Sequence, residues 1–124
     1  MRVLLVDDEE ELASALTNRL CLRGIEAEYT TRADEALQRV EAGGYDIAVL
    51  DVKMPGVSGL ELMQRMQVLQ PDLQYIFLTG YGSEKDFQAV SDRCGEAAYL
   101  VKPIEITELI DKMKAIVACQ RGES

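Results

Sequence analysis

The chain has 124 residues, 48% of them apolar and 28% charged, which suits one globular domain with a buried core. It contains no histidine, which excludes serine–histidine and cysteine–histidine triads and any internal phosphohistidine. The net charge of -9 argues against direct nucleic-acid binding and favours a basic partner surface or a divalent cation. No apolar run approaches the roughly 20 residues of a membrane helix, and the first residues lack a signal peptide's apolar core. We therefore expect a cytoplasmic protein without membrane contact.

Strand-like and helix-like segments alternate along the chain. In chain order the predictions are strand 3–6, helix 9–23, strand 25–29, helix 31–42, strand 46–51, helix 59–70, strand 74–79, helix 83–93, strand 97–101 and helix 106–119. Every strand except the second is nearly all apolar, as in strands buried on both faces of a parallel sheet. The pattern predicts an α/β fold with a doubly wound, five-stranded parallel sheet and five helices. Residues 1–119 form the predicted domain, and residues 120–124 form a polar tail or the start of a linker.

The helical periodicity also predicts which side chains face the core. The first helix carries Leu12, Leu16 and Leu20 on one face, and Gly24 follows it as a stop signal. Inward positions of the third helix are Leu62, Met63, Met66 and Leu69. The three cysteines, Cys21, Cys94 and Cys119, are widely spaced and form no CxxC pair, so we expect unreactive thiols.

Polar residues follow four of the predicted strands. Asp7 and Asp8 come after the first, Asp51 ends the third, Thr79 ends the fourth, and Lys102 follows the fifth. The carboxyl ends of parallel strands meet at one edge of the sheet, where ligands bind. Helix capping is the alternative for the first aspartates, but capping needs only one of them. The neighbouring acidic residues 9–11 are interpreted as a solvated first helical turn.

If the first and third strands are neighbours, the three carboxylates converge, and they repel one another by roughly 4 kcal/mol per pair at about 4 Å and an effective dielectric constant near 20. Asp7, Asp8 and Asp51 therefore predict a site for Mg²⁺, which prefers oxygen ligands. Beside such a cation Asp51 is the candidate nucleophile for a phosphoryl group. Lys102 and Thr79 would contact its oxygens; the alternatives are a solvated lysine and an ordinary β-branched strand end.

These motifs resemble the receiver domains of two-component response regulators, from Arg2 to about Ala118. The matching residues are Asp7-Asp8, Asp51-Val52-Lys53-Met54-Pro55-Gly56, Thr79-Gly80 and Lys102-Pro103. The resemblance implies a flavodoxin-like sheet of strand order 2-1-3-4-5, with a cis bond between Lys102 and Pro103.

The resemblance also implies roles for individual residues. Asp51 would accept a phosphoryl group from a histidine kinase or phosphotransfer protein, and Asp8, Asp51 and the Lys53 backbone carbonyl would hold Mg²⁺. Thr79 and Tyr99 would be the switch pair. Their movement would change the surface formed by the fourth predicted helix, the fifth strand and the last helix, which would signal to an output domain or effector and could dimerise. The domain would catalyse only its own phosphorylation and dephosphorylation.

Two other functional classes stay open. Haloacid-dehalogenase-like phosphatases also use a strand-end aspartate and Mg²⁺, but they place a second aspartate where this chain has Lys53. A receiver-like interaction module that works without phosphorylation would be expected to lack the acceptor, the acidic pair or the lysine. This chain has all of them.

Overall fold

A computed structural model describes residues 1–52, 54, 56–80 and 98–120 of the chain. The strands in this part are β1 (Arg2–Val6), β2 (Glu26–Thr30), β3 (Ile47–Asp51), β4 (Gln74–Thr79) and β5 (Ala98–Val101). The helices described there are α1 (Glu10–Leu22), α2 (Ala33–Ala42), α3 (Gly59–Leu69) and α4 (Ile106–Gln120). The strands are parallel and form one sheet in the order β2-β1-β3-β4-β5, which confirms the predicted topology.

The predicted element boundaries agree with the described ones to within two residues. Gly24 follows α1 with a φ of 81°, a left-handed conformation that glycine adopts without strain. α4 continues to Gln120, one residue beyond the predicted domain boundary. The fourth predicted helix, Cys94 and the tail residues 121–124 lie outside the described residues. No helix in the described ranges is both long and apolar enough to cross a membrane.

Helices cover both faces of the sheet because successive strand side chains point to opposite sides. One core cluster joins β1, β3, β4 and β5 to α1 and α4; its fully buried members include Leu5, Leu16, Val49, Leu78 and Leu109. The other cluster joins β1, β3 and β4 to α2 and α3; it includes Leu4, Val40, Leu50, Met66 and Phe77. These two clusters hold the sheet between the helices and so fix the positions of the strand ends that carry the predicted site.

Two burial predictions are wrong. β5 was expected to be buried on both faces, but 37% of Tyr99 and 55% of Val101 are exposed, while Leu100 between them is buried. β5 is the edge strand, and Leu100 faces the cluster of α1 and α4, so its two neighbours point to the other side. Leu69, expected to face inward, is 41% exposed because it is the last residue of α3.

A charged network braces β1, β2 and α2 at one edge of the sheet. Glu28 accepts hydrogen bonds from Tyr45 Oη at 2.6 Å, Arg39 Nη1 at 2.9 Å and Arg2 Nη2 at 3.1 Å. The Tyr45 hydrogen bond is the main cause of a lowered Glu28 pKa; partial burial opposes it, and the two arginines reinforce it. Glu28 therefore links β1, β2 and α2, a connection that the sequence pattern does not predict.

Candidate functional site

The sheet register brings the predicted site residues to one edge. Val6 of β1 pairs with Leu50 of β3, so the following residues, Asp7 and Asp51, end neighbouring strands. At the other side, the Lys102 backbone N–H donates to the Thr79 carbonyl at 2.8 Å, which joins the ends of β4 and β5. The peptide bond between Lys102 and Pro103 is cis, as the resemblance implied.

Asp7, Asp8 and Asp51 form the carboxylate cluster. One ligand oxygen from each lies within 4.8 Å of the other two. Asp7 is fully buried and Asp51 is only 5% exposed, whereas Asp8 faces solvent. Neither aspartate of the acidic pair is the N-cap of α1, because that position is Glu9 and its side chain makes no cap hydrogen bond. Helix capping therefore does not account for the cluster.

The donor set of the carboxylate cluster fits a hard divalent cation. Asp7 Oδ1 accepts a hydrogen bond from the Glu9 backbone N–H at 2.9 Å, but the buried Asp7 Oδ2 has no hydrogen-bond donor among the described residues. Asp7 Oδ2 instead forms an ion pair with the Lys102 ammonium. Converging carboxylate oxygens with one solvent-facing member are ligands that Mg²⁺ binds while keeping part of its water shell. The fourth predicted ligand, the backbone carbonyl of Lys53, lies outside the described residues.

Lys102 reaches three carboxylates at once. Its Nζ lies 3.0 Å from Asp7 Oδ2, 3.0 Å from Glu9 Oε1 and 3.7 Å from Asp51 Oδ2. Burial of this side chain, which is 17% exposed, opposes its charge, but the carboxylates of Glu9, Asp7 and Asp51 outweigh burial and raise the Lys102 pKa. Lys102 is therefore a permanent positive charge beside Asp51, and the solvated-surface alternative does not hold.

Thr79 and Tyr99 lie on the same face of the sheet. Phe77 is the register partner of Tyr99, and Thr79 follows Phe77 by two residues, so all three point to the same side. Thr79 is buried, and its hydroxyl donates to the Leu100 carbonyl at 3.5 Å, a long and therefore weak hydrogen bond. The Thr79 hydroxyl is thus held by β5 through a contact that is easily exchanged.

The first turn of α3 supports the backbone of Asp51, a feature that the sequence analysis missed. The Gly59 N–H donates to the Val52 carbonyl at 2.9 Å, and Ser58 Oγ caps the helix by accepting from the Glu61 N–H at 3.1 Å. A Cβ atom on Gly59 would collide with the Asp51 carbonyl oxygen. Only the absence of a side chain allows α3 to begin this close to the end of β3.

Glu9 is the second residue that the sequence analysis missed. It was assigned to a solvated helical turn, yet Lys102 Nζ donates a hydrogen bond to its carboxylate at 3.0 Å. Its position directly after the acidic pair was a signal, but the partner lies 93 residues away in the sequence. A contact of that range depends on the loop after β5, which local patterns do not describe.

Comparison with known proteins agrees with this geometry. Residues 3–114 match the family model described as response regulator receiver domain. Sporulation initiation phosphotransferase F of Bacillus subtilis is 30% identical over 113 residues, covering 91% of this chain and 90% of that protein. Other curated relatives are longer: the chain spans 49%, 23% and 54% of the length of three of them.

Solved structures show the same fold and sequence relationship. A CheY-like receiver domain protein from Methanospirillum hungatei JF-1 is 31% identical with a TM-score of 0.87, covering 99% of this chain and 98% of that one. Response regulator TrrA from Thermotoga maritima, in complex with Mg²⁺ and BeF, is 33% identical with a TM-score of 0.78, covering 93% and 97%. The chain belongs to the response regulator receiver domain family, the phosphoacceptor switches of two-component signalling.

Proposed function

We propose that Asp51 is the phosphoacceptor of this receiver domain and that Mg²⁺ is its cofactor. The observation that carries the proposal is the carboxylate cluster, with three ligand oxygens within 4.8 Å and the Lys102 ammonium 3.7 Å from Asp51 Oδ2. A buried nucleophile, a metal-ligand set and a fixed positive charge therefore meet at one sheet edge. That combination is what phosphoryl transfer to a carboxylate requires.

Asp7, Asp8 and Asp51 would hold the cation, together with the Lys53 backbone carbonyl. When bound, Mg²⁺ would supply positive charge that screens Asp51 from the incoming phosphoryl group. A carboxylate oxygen of Asp51 attacks the phosphorus atom, and the P–N bond of a phosphohistidine on the donor breaks. Its electron pair stays on the imidazole nitrogen. Lys102 stabilises the negative charge that builds up on the phosphoryl oxygens.

The same residues would connect phosphorylation to a partner. The Thr79 hydroxyl exchanges the Leu100 carbonyl for a phosphoryl oxygen, because its present hydrogen bond is long at 3.5 Å. This movement leaves room on the sheet face that Thr79 shares with Tyr99, which is 37% exposed. The surface that would change includes β5 and α4; the fourth predicted helix, the other part of the predicted signalling surface, lies outside the described residues. An output domain, an effector protein or a second copy would bind there, and the phosphoryl donor is a histidine kinase or phosphotransfer protein.

Intact-mass spectrometry with Mg²⁺ and acetyl phosphate tests this proposal. The wild-type chain should gain one acid-labile phosphoryl group in a Mg²⁺-dependent reaction, and Asp51→Asn should gain none. Asp111→Asn is the matched control, since Asp111 is an exposed aspartate on α4 that is not part of the carboxylate cluster. Equal uptake by wild type and Asp51→Asn would contradict the assignment. An absence of uptake by wild type, from acetyl phosphate and from a phosphorylated kinase alike, would favour an interaction module.

A further inference from the structure

Glu9 contacts the Lys102 ammonium, the same positive charge that would bind the phosphoryl group on Asp51. Lys102 Nζ donates to Glu9 Oε1 at 3.0 Å and lies the same distance from Asp7 Oδ2, while Asp51 Oδ2 is farther away at 3.7 Å. A lysine ammonium has three N–H donors, and three carboxylates surround this one. A phosphoryl oxygen on Asp51 would therefore compete with Glu9 and Asp7 for the position of this ammonium.

The exposure of the carboxylates decides which partner yields. The Asp7 side chain is fully buried, so water cannot take the place of Lys102 there. The Glu9 side chain is 62% exposed, and water can replace the ammonium there. The Glu9 backbone N–H remains bonded to Asp7 Oδ1 in either state, because that contact does not involve the Glu9 side chain.

We propose that Glu9 is a positioning residue that competes with the phosphoryl group for Lys102 and so weakens phosphoryl binding at Asp51. The inference rests on the proposed function and goes beyond it, because it makes Glu9 an adjustable determinant of how strongly the phosphorylated state is favoured. Exposed ion pairs contribute an amount that corresponds to about a 1.4- to 5-fold change in an equilibrium constant. Removing the contact should therefore tighten binding of a phosphoryl mimic by about three-fold.

Affinity for beryllofluoride in saturating Mg²⁺, measured by ¹⁹F NMR, tests the competition. Glu9→Gln removes the charge and the ion pair, whereas Glu9→Asp keeps the charge but is one methylene too short to hold the same contact. Both should bind beryllofluoride about three-fold more tightly than wild type. Glu10→Gln removes an equal charge from the next residue, which is exposed and makes no ion pair with any described residue. It should stay within about 1.4-fold of wild type, the lower limit for an exposed ion pair.

A second measurement separates competition for Lys102 from a general effect on the site. Affinity for Mg²⁺ alone, without beryllofluoride, should be the same in Glu9→Gln and Glu10→Gln. If Glu9→Gln binds beryllofluoride no more tightly than Glu10→Gln, or if Glu9→Asp matches wild type, competition for Lys102 is excluded. If wild type neither binds beryllofluoride nor takes up phosphate, the proposed function itself fails, which is a different result.

Discussion

Substitution of Asp8 by alanine should abolish stabilisation of the fold by Mg²⁺ without harming the metal-free protein. The ligand oxygens of Asp7, Asp8 and Asp51 lie within 4.8 Å of one another. At that separation and an effective dielectric constant of 20, each pair of charges repels by about 3.5 kcal/mol. Water around the exposed Asp8 reduces its share to the order of 1 kcal/mol. The metal-free Asp8→Ala protein should therefore be as stable as wild type, or slightly more stable.

When Mg²⁺ is added, wild type should become more stable than Asp8→Ala. A ligand that binds only the native state stabilises it by about 2.7 kcal/mol at 100 times its dissociation constant. For a domain of this size, that free energy corresponds to a rise in melting temperature of roughly 10 °C. Asp8→Ala lacks one of the three carboxylates, so it should show little or no rise over the same Mg²⁺ range.

Thermal unfolding followed by circular dichroism at 222 nm measures both effects, and it suits a chain that has no tryptophan. Asp111→Ala, on the exposed surface of α4, is the control for the loss of one acidic side chain. Its melting temperature should rise with Mg²⁺ as in wild type. A normal Mg²⁺ response from Asp8→Ala would show that the carboxylate cluster is not the metal site.

Three further predictions concern the switch, the support of Asp51 and the charged network. Thr79→Ala should still be phosphorylated, but beryllofluoride should no longer shift the NMR signals of Tyr99, because the threonine hydroxyl carries the movement. Gly59→Ala should destabilise the fold by about 1–3 kcal/mol in urea titration, because its Cβ meets the Asp51 carbonyl oxygen. Glu28 has a lowered pKa in the folded state, so its stabilising effect should be complete above the unfolded pKa of about 4.3 and be lost as the pH falls through the folded value. The difference in unfolding free energy between wild type and Glu28→Gln, measured from pH 7 to pH 3, should shrink over that acidic range.

Each of these predictions has an outcome that contradicts it. If the NMR shifts at Tyr99 persist in Thr79→Ala, the Thr79 hydroxyl does not carry the movement to Tyr99. Thr79→Ser keeps the hydroxyl and is the conservative control, which should still show the shifts. A Gly59→Ala protein as stable as wild type would mean that α3 can retreat from β3 without loss; Gly80→Ala is the comparison, since a Cβ there meets no atom within 4 Å. If the difference in unfolding free energy between wild type and Glu28→Gln does not change with pH, the charge of the Glu28 carboxylate does not stabilise the fold.

The order of elements and the chemistry at the strand ends were predictable from the sequence alone. Alternating apolar runs and helical faces report local burial, because each element needs one side against the core. Asp7, Asp8, Asp51, Thr79 and Lys102 were identified because each follows such a run, and parallel strands end at one edge. This prediction needed the direction of the strands and the condition that the first and third strands are neighbours, which the structure confirms, but no side-chain distance.

Other features were decided only by the tertiary structure. The ion pair between Glu9 and Lys102 joins residues 93 positions apart, and the collision at Gly59 depends on where α3 begins relative to β3. The exposure of Tyr99 and Val101 follows from the edge position of β5, which a strand's own residues do not report. Periodicity records how each segment meets the core, whereas these contacts depend on how separate segments are placed against one another.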